Sequence, residues 1–444
     1  MSILRAGELD ARVAQLASSL VAARPRPRVV GLIADNGPDW VAADLAAQMA
    51  GVVLVPLPAF FTDAQRAHAV GASGMDGLLG EPLPGFEFSG ALDGLPWWRR
   101  AAAPADLPRG SSKITFTSGT TGTPKGVALS TEQQWSVARA LAKATRQLRL
   151  RRHLCLLPLP VLLENVGGIY APLAAGMEFC VPPLAEVGNR GSSSFDAAAC
   201  LAAIERWEAD SIILLPQMLA ALCAALEHGA RPPRSLSFAA VGGAKVSTAL
   251  IERARALALP VYEGYGLSEC ASVVTLNLPG ADRPGSVGRP LPHAQLRIEQ
   301  DEIFVRTGET WHATGDLGRV DEDGFVHIEG RRKHVLITSF GRNVSPEWPE
   351  AELLAGRAIL QAAVFGEARP RLCALVVAAP GAAESAVDAQ VRAANARLPD
   401  YAQIGAWVRA DSPFTPHNGF ATANGRVRRD ALWQAYGARL DGLL

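Results

Sequence analysis

The spacing of apolar residues alternates between helical and strand-like over the first sixty positions. One helical face, over residues 9–22, is formed by Leu9, Val13, Leu16 and Leu20. The continuous apolar runs at 29–34 and 52–57 are typical of buried strands, and a short apolar helix is predicted between them at 40–50. Two buried strands joined by a helix predict a βαβ unit and therefore a parallel sheet.

The alternation continues to about residue 258 and then changes character. Further strands are predicted at 154–157, 211–215 and 236–241, and helices at 164–176, 196–209, 216–228 and 247–258. The Pro-, Gly- and Arg-rich stretch 80–112 is predicted to be a connecting loop. Short strands with hairpin turns are predicted at 294–299, 302–306 and 325–328, followed by helices at 346–355 and 384–397 and strands at 360–366 and 372–378. The expected fold class is α/β, with a large N-terminal body of several subdomains, rich in parallel sheet, and a small α+β C-terminal domain.

Composition narrows the function classes. The 444 residues are 49% apolar and 19% charged, which predicts a large hydrophobic core and excludes wholesale disorder. Acidic and basic residues both number 43, so the charge balance gives no general reason to expect a nucleic acid or an anionic membrane as partner. Neither a membrane span nor a signal peptide is predicted. Six cysteines without a CxxC pair fit reduced thiols, so a cytoplasmic location is expected.

The strongest chemical signal is the segment 115–127, TFTSGTTGTPKGV, which follows a predicted strand. Glycines let backbone N–H groups approach a polyanion, hydroxyls donate to phosphate oxygens, and Lys125 adds a positive charge. The segment therefore predicts a phosphate-binding loop, and an ordinary polar surface loop is the alternative. Its spacing differs from the GxxxxGK[ST] loop, which disfavours a P-loop kinase or ATPase.

Further motifs follow along the chain. They are VGGA at 241–244, YEGYGLSE at 262–269, TGDLG at 314–318, GRRK at 330–333, GRNVSP at 341–346 and ATANGRVRR at 421–429. Together they resemble the motifs of the AMP-forming acyl-adenylate ligases, which include acyl-CoA synthetases, adenylation domains of peptide synthetases and firefly luciferase. The resemblance runs from about residue 29 to 430. It implies an AMP-binding body at 1–330 and a mobile C-terminal domain at 334–444, with a hinge near 330–334.

The resemblance implies a reaction in two halves. A carboxylate attacks the α-phosphate of ATP to give acyl-AMP and pyrophosphate, and a thiol then displaces AMP. The residues implied to bind the phosphates are Thr117, Ser118, Gly119, Thr120, Thr121, Gly122 and Lys125. Those implied to bind adenine and ribose are Gly242, Gly243, Ala244, Tyr265, Gly266, Asp316 and Arg331. Because negative charge builds up on the phosphorus and the leaving group, fixed donors and a metal ion are also expected.

Three more positions take roles from the same resemblance. Ser268 is implied at the α-phosphate and Glu269 as the ligand of Mg²⁺, a hard cation that prefers oxygen. Lys333 occupies the hinge position, where rotation of the C-terminal domain would switch between the half-reactions. The structural alternatives are core packing for Tyr265, a surface ion pair for Glu269 and a solvated charge for Lys333.

The C-terminal motif departs from the family pattern. Where the family has a lysine that bridges the acyl carboxylate and the α-phosphate, this chain has Arg426. The chain has only five lysines, and none follows Lys333. Arginine keeps the charge but is planar and larger. Three interpretations remain open: Arg426 substitutes for the lysine, the first half-reaction is slow or needs a partner, or the chain uses a preformed adenylate or has lost adenylation.

The pocket for the acyl group is predicted to be lined by small, apolar residues. The pocket is expected to include Val161, Val241, Gly264 and Ala271. The segment 157–165, LPLPVLLEN, resembles a motif of long-chain fatty acyl-CoA synthetases. Val161 aligns with the histidine of that motif and Glu164 with its glutamate, which favours that branch of the family. His153 and Cys155, beside the segment, are interpreted as structural residues. The shortened first subdomain and the shortened stretch 304–312 are expected to open the acyl tunnel to solvent.

Two function classes remain after these motifs. The favoured class is an ATP-dependent ligase that activates a medium-chain, long-chain or aryl-ended carboxylic acid with Mg²⁺. Coenzyme A is the expected thiol acceptor, and an acyl carrier protein is the alternative acceptor. Arg342 and Trp348 are candidates to contact the pantetheine arm of the acceptor. For Trp348, a packing role is the alternative. The other class is a degenerate member that only binds a nucleotide or acyl-adenylate, or docks a carrier protein.

Overall fold

The structure, a computed structural model, describes residues 6–117, 124–190, 194–422 and 425–443. The body begins with helix α1 (Ala6–Ala22) and a first sheet. The described strands of this sheet are β1 (Val29–Ile33), β2 (Val53–Pro56), β3 (Gly77–Gly80), β4 (Glu87–Leu92), β5 (Leu95–Arg99), β6 (Ser111–Thr117) and β7 (Lys125–Ser130). Strands β3, β1, β2 and β6 pair in parallel, and β5, β4 and β7 are antiparallel at the two edges. Helix α2 (Pro38–Ala50) joins β1 to β2, so the predicted βαβ unit is confirmed.

The predicted loop over 80–112 is wrong, because this stretch contains the β4–β5 hairpin. Its two-residue turn, Asp93-Gly94, has φ of 47° and 82°, the left-handed conformation that a type I′ turn requires. Proline and glycine are tolerated here because the hairpin forms the end of the sheet and carries a bulge between Phe88 and Ala91. The Asp-Gly dipeptide between two apolar stretches is the signal that would have predicted the hairpin.

A second sheet forms the other half of the body. The next strands are β8 (Arg152–Leu154), β9 (Glu178–Cys180), β10 (Asn189–Arg190), β11 (Ser194–Phe195), β12 (Ser211–Leu214), β13 (Phe238–Val241), β14 (Val261–Leu267), β15 (Ser272–Leu276) and β16 (Arg289–Pro290). Strands β10 and β11 pair with each other, and the others form the sheet in the order β16-β15-β14-β13-β12-β8-β9. The run from β9 to β14 is parallel, so the carboxyl ends of these strands share one edge.

Further helices surround the two sheets. They are α3 (Asp63–Ser73), α4 (Thr131–Thr145), α5 (Leu162–Glu164), a π-helix (Asn165–Tyr170), α6 (Ala171–Ala175), α7 (Ala197–Arg206), α8 (Pro216–Glu227) and α9 (Thr248–Ala256). Those between 162 and 256 match the predicted ones, whereas α3 and α4 were not predicted. Helices α3 and α4 begin with capping boxes at Thr62 and Ser130, which satisfy the first backbone N–H groups. Within the described residues, no helix has the length and apolar character needed to cross a bilayer.

The rest of the chain is antiparallel-rich. Strands β17 (Ala294–Glu299), β18 (Glu302–Thr307), β19 (Thr310–Val320) and β20 (Val326–Arg331) form an antiparallel sheet. The C-terminal domain contains β21 (Leu336–Ile337), β22 (Asn343–Val344), α10 (Glu347–Leu353), β23 (Ile359–Phe365), β24 (Leu372–Ala378), α11 (Glu384–Asn395), β25 (Ile404–Arg409) and α12 (Arg429–Asp441). Apolar residues of α10 and α11 cover one face of the β23-β24-β25 sheet, and α12 covers the other. The predicted fold class is therefore confirmed.

A buried ion pair connects the first sheet to the π-helix. Lys113 on β6 is fully buried, and its Nζ lies 2.7 Å from Oδ1 of Asp44 on α2. The same amine donates to the hydroxyl of Tyr170 at 2.8 Å, and Tyr170 donates to Asp44 Oδ2 at 2.7 Å. Asn165 completes the group by donating to Asp44 Oδ2 at 2.9 Å. Burial lowers the pKa of Lys113, and the charge of Asp44 opposes that shift.

Breaking this pair is expected to destabilise the body. Lys113→Met should lower the free energy of unfolding by about 3–5 kcal/mol, because Asp44 stays buried without its cation. Urea unfolding followed by circular dichroism measures the change. The double variant Lys113→Met, Asp44→Leu removes both charges and should recover most of the loss. If the single variant is as stable as the wild type, the pair does not contribute as an ion pair.

Candidate functional site

The tightest turn of the site follows strand β14. Gly266 has no room for a side chain, because a Cβ there would lie 1.9 Å from the carbonyl oxygen of Ser272. Ala271 and Ser272 have φ of 58° and 113°, which closes the β14–β15 hairpin tightly. A short 3₁₀ turn, Ser268–Cys270, lies inside the hairpin and carries Ser268 and Glu269. The motif 262–269 thus places a tyrosine, a serine and a carboxylate along one strand end.

Tyr265, Asp316 and Arg331 meet beside this hairpin. The Tyr265 hydroxyl donates to Asp316 Oδ2 at 2.6 Å, and Arg331 Nε lies 2.7 Å from Asp316 Oδ1. Asp316 on β19 is opposite Arg331 on β20 in the strand register, which brings the two motifs together. Burial raises the pKa of Asp316, whereas Arg331 and Tyr265 lower it. Both carboxylate oxygens already have partners, so a ribose would share them through their remaining lone pairs.

Arg426 of the C-terminal domain faces the same cluster. Its backbone is fixed by Thr422, whose Oγ1 accepts from the Arg426 N–H at 3.0 Å and whose N–H donates to the Arg426 carbonyl at 2.7 Å. Desolvation and then the charge of Arg331 lower the pKa of Arg426, while Asp316 raises it. Lys333 at the predicted hinge is exposed, and its pKa is lowered by desolvation, Arg331 and Arg426 in that order. Arg331 therefore pairs with Asp316, and the charges of Arg426 and Lys333 add to the positive potential near this carboxylate.

Lys125 and Glu269 come together although 143 residues separate them in the chain. Lys125 begins β7, and its Nζ lies 3.3 Å from Oε1 of Glu269. The Lys125 side chain is 71% exposed and the Glu269 side chain 39%, so the pair is open to a ligand from solvent. Thr117 ends β6 directly opposite Lys125. The other predicted phosphate-binding residues, Ser118, Gly119, Thr120, Thr121 and Gly122, lie outside the described residues.

The segment 242–244 lies next to strand β14. A Cβ at Gly242 would be 2.9 Å from the carbonyl oxygen of Gly264, so only glycine allows this approach. Gly243 has φ of 83° and is exposed together with Ala244. The predicted adenine segment therefore presents backbone, not side chains, next to the strand that carries Tyr265.

The predicted acyl-pocket residues divide between two apolar clusters. Ala271 packs with Leu159 and Leu162 in one cluster, while Val241 belongs to the cluster around β12 and β13. Ala271 and Val241 are both fully buried, whereas Val161 and Gly264 are partly exposed. The structure brings Ala271 close to the 157–165 segment, and it does not join Ala271 and Val241 into one apolar cluster.

The buried carboxylate of Glu164 holds one end of the 157–161 loop. Glu164 is fully buried; its Oε2 accepts from the Leu157 N–H at 2.7 Å, and its Oε1 lies 3.0 Å from His153 Nε2. His153 Nδ1 in turn pairs with Ser211 Oγ at 3.1 Å. A Cβ at Gly168 would lie 2.2 Å from Glu164 Oε1, so glycine is required beneath the carboxylate. Glu164 therefore supports the loop and does not face the substrate side as a free carboxylate.

Three residues of metal-binding type, His153, Cys155 and Glu164, meet at this point. Their potential ligand atoms lie within 4.8 Å of one another, and all three side chains are buried. Each has a protein partner, since Cys155 Sγ also contacts the Gly168 carbonyl at 3.7 Å. Burial raises the pKa of the Cys155 thiol well above its usual value, which keeps it protonated. The group is thus explained by hydrogen bonding, in agreement with the structural interpretation of His153 and Cys155.

The side chain of Asn36 also holds the 157–161 loop. This buried side chain donates from Nδ2 to the Leu157 carbonyl at 2.9 Å, and its Oδ1 accepts from the Leu159 N–H at 2.9 Å. The sequence alone does not indicate this role of Asn36. A short polar residue directly after a buried strand was the available signal, but its partners lie more than 120 residues away.

The profile of the AMP-binding enzyme family matches residues 5–316, which is more than half of the chain. The chain belongs to this family. A second profile, that of the AMP-binding enzyme C-terminal domain, matches residues 333–443. The two matches leave residues 317–332 unmatched, an interval that contains the first three residues of the 330–334 segment, Arg331 among them.

Relatives and solved structures agree with this membership of the AMP-binding enzymes. The long-chain-fatty-acid–CoA ligase FadD15 of Mycobacterium bovis is 38% identical over 180 residues, which are 36% of this chain and only 30% of FadD15. The feruloyl-CoA synthase of Amycolatopsis sp. is 30% identical over 408 residues, covering 82% of this chain and 80% of that protein. The fold is similar to that of o-succinylbenzoate CoA synthetase from Bacillus subtilis in complex with OSB-AMP, with a TM-score of 0.76, 24% identity and coverage of 96% and 92%.

Proposed function

We propose that this AMP-binding enzyme is an ATP-dependent acid–thiol ligase. In the first half-reaction a carboxylate oxygen of the acid bonds to the α-phosphorus of ATP, the bond to the bridging oxygen breaks, and pyrophosphate leaves. In the second, a thiol sulfur bonds to the acyl carbon, the bond to AMP breaks, and the thiol proton is released. The observation that carries the proposal is the convergence of Tyr265, Asp316, Arg331 and Arg426 beside the Lys125–Glu269 pair.

The groups of this site match the charges of the first half-reaction. Asp316 and Tyr265 would bind the ribose and adenine, and Arg331 and Arg426 would bind negative charge near the α-phosphate. Lys125 would bind the outer phosphates together with Thr117 and the 118–122 segment. Ser268, one residue before Glu269 on the same 3₁₀ turn, would donate to the α-phosphate. Preorganised donors of this kind stabilise charge that develops in the transition state.

Glu269 fits a magnesium ligand. Its carboxylate is partly exposed, and it lies 3.3 Å from the amine of Lys125 in the predicted phosphate-binding loop. Mg²⁺ prefers carboxylate and phosphate oxygens and keeps several waters, so one protein carboxylate in an open site suits it. When bound, the ion would neutralise phosphate charge. Glu269 would position it, and Lys125 would move from the carboxylate to the phosphates.

The acyl group is proposed to be apolar, with a medium or long chain or an aryl end. The apolar cluster that includes Leu159, Leu162 and Ala271 extends to the β14–β15 hairpin. An acyl site against this cluster would favour apolar acids by the area that they bury. The names of two relatives, a long-chain-fatty-acid–CoA ligase and a feruloyl-CoA synthase, cover both kinds of acid.

The thiol acceptor is proposed to be coenzyme A. The names of both relatives contain this acceptor, which supports the choice. An acyl carrier protein is the alternative, because the first subdomain is short and leaves surface for a protein partner. Arg342 is exposed beside the short β22 strand and remains a candidate to contact the acceptor, whereas Trp348 packs partly against the C-terminal core. Product formation with each acceptor separately decides between them.

Pyrophosphate release tests the proposal directly. The enzyme is mixed with ATP, Mg²⁺ and one acid from a panel of short to long aliphatic and aryl acids, without a thiol. Release that depends on the acid would support adenylation with Arg426, and the best acid would identify the substrate class. Nucleotide binding without release for every acid would favour the alternative of a binding or carrier-docking protein.

Glu164 is expected to act on the acid through the 157–161 loop. Glu164→Gln should raise the KM for the acid about 5-fold, because a neutral amide weakens the contacts to His153 and the Leu157 N–H. The kcat and the KM for ATP should change little, since the nucleotide groups are not touched. Steady-state kinetics with each substrate varied in turn measures the split. The control is Glu178→Gln, which alters an exposed carboxylate on the neighbouring strand β9. If Glu164→Gln leaves the KM for the acid unchanged, Glu164 does not have this role.

A further inference from the structure

An acidic residue of the body is shared by arginines from both sides of the domain boundary. Glu227, the last residue of α8, accepts from Arg253 Nε and Nη2 of α9 at 2.8 and 2.7 Å. Arg357 of the C-terminal domain also binds Glu227 Oε2. Arg253 extends the contact, because its Nη1 donates to the carbonyl of Ala355 at 2.9 Å. Body and C-terminal domain are thus joined by an ion pair and a charge-assisted hydrogen bond.

The centre of this cluster is shielded from solvent. The side chains of Glu227 and Arg253 are 19% and 16% exposed, while Arg357 is 50% exposed at the rim. The hydrogen bond from Arg253 is the largest cause that lowers the pKa of Glu227, and the charge of Arg357 lowers it further. Glu227 therefore stays ionised at neutral pH. A shielded, bidentate arginine–carboxylate contact is stronger and more directional than a fully exposed pair.

In the same orientation of the C-terminal domain, the exposed Arg426 is close enough for its charge to act on Asp316 and Arg331. Arg426 approaches strands β19 and β20, whereas Glu227 and Arg253 lie on helices α8 and α9, so different elements hold the domain at the two places. A third close contact lies at the start of the domain, where a Cβ on Gly330 would be 1.8 Å from Ser345 Oγ. Attachment through several elements restricts rotation, which a single contact would permit.

We propose that Glu227, Arg253 and Arg357 are positioning residues for the adenylation half-reaction. They act through Arg426, by docking the C-terminal domain in the orientation that places its guanidinium next to Asp316 and Arg331. This inference rests on the proposed function. Because Arg426 is implied only in the first half-reaction, loss of the docking contact should slow acyl-adenylate formation and leave acyl transfer from a supplied acyl-adenylate intact.

The variants Glu227→Gln and Arg357→Gln test the kinetic part. Each is expected to lower the kcat for acid-dependent pyrophosphate release about 5-fold, the effect of a contact that contributes on the scale of a partly shielded ion pair. The double variant should be little worse than either single variant, because both remove the same contact. Coenzyme A acylation from synthetic acyl-adenylate should keep its wild-type rate. Glu132→Gln, which removes an exposed pair with Arg139 inside the body, is the matched control.

A distance measurement tests the docking itself, independently of turnover. Spin labels are attached at Ala202→Cys on α7 and Ser385→Cys on α11, two exposed positions, while the six native cysteines are buried. One narrow distance distribution is expected for the otherwise unchanged protein, and a broader one after Glu227→Gln or Arg357→Gln. Unchanged distributions, or an equal loss in both half-reactions, would overturn the proposal. A protein that docks as expected yet releases no pyrophosphate would contradict the proposed function; the distance distributions would then support the docking contact alone, without its role in adenylation.

Discussion

Replacing Arg426 with alanine is expected to lower acid-dependent pyrophosphate release by about 10²–10³-fold, the typical effect of removing one charge-stabilising donor. The positive charge of Arg426 acts on Asp316 and Arg331, beside the place where negative charge is proposed to develop on the α-phosphate. The loss should fall on kcat, because the interaction is strongest in the transition state. Pyrophosphate release at saturating ATP and acid measures it.

Two further variants make this result specific. Arg426→Lys should keep or raise the rate, since an ammonium retains the charge and occupies the position in the family's usual form. Arg428→Ala, two residues along the same segment, should behave like the wild type. If Arg426→Ala releases pyrophosphate at the wild-type rate, Arg426 has no part in the first half-reaction, and the bridging cation must be sought among Lys333 and Arg331.

Replacing Glu269 with alanine is expected to lower the same rate by about 10²-fold or more, because the site loses its candidate magnesium carboxylate. The half-saturating Mg²⁺ concentration should rise as well, which a general loss of structure would not produce. Titration of Mg²⁺ at fixed ATP, with pyrophosphate release as the signal, measures both effects. Glu299→Ala, at an exposed position on β17, is the control.

Lys125→Ala tests the other member of the Lys125–Glu269 ion pair. Its loss should raise the KM for ATP and lower kcat, because Lys125 is proposed to bind the outer phosphates. The Mg²⁺ dependence should change less than in Glu269→Ala, which separates the two roles. Wild-type kinetics in both variants would refute the assignment of the phosphate and metal site.

The fold could be predicted well where the pattern of apolar residues is local. The βαβ unit around α2 and strand β24 at 372–378 are confirmed, since continuous apolar runs bury both faces of a strand. The 80–112 segment was wrong because composition was weighted above the Asp93-Gly94 turn signal. Strand β25 and helices α3, α4 and α12 were missed. Helix α12 buries Leu432, Tyr436 and Leu440 on one face, but the exposed Trp433 and Ala435 outside that face obscure the helical pattern.

The candidate site was predictable to the extent that it lies in motifs. The motifs named Tyr265, Asp316 and Arg331, and the structure adds that they bind one another. The ion pairs that hold the elements around the site in place were not predictable, because their two members are distant in sequence. Lys113 reaches Asp44, and Glu227 reaches Arg357, through pairings that only the folded chain creates. A single charged residue on a helix or strand carries no local sign of such a partner.

The burial of the cysteines and the scarcity of lysine bear on self-acylation. An acyl-adenylate is a mixed anhydride that acylates thiolates and free amines. All six cysteines are buried, and burial raises the pKa of Cys200 to about 12 and of Cys270 to about 11. Of the five lysines, Lys113 is fully buried, and the amine of Lys245 donates to a backbone carbonyl. Guanidinium groups, which stay protonated, replace amines over most of the surface, including at position 426. Under the proposed function, the exposed amines that an acyl-adenylate could meet on the described part of the chain are those of Lys125, Lys143 and Lys333, so most of the adenylate would be left to an external thiol.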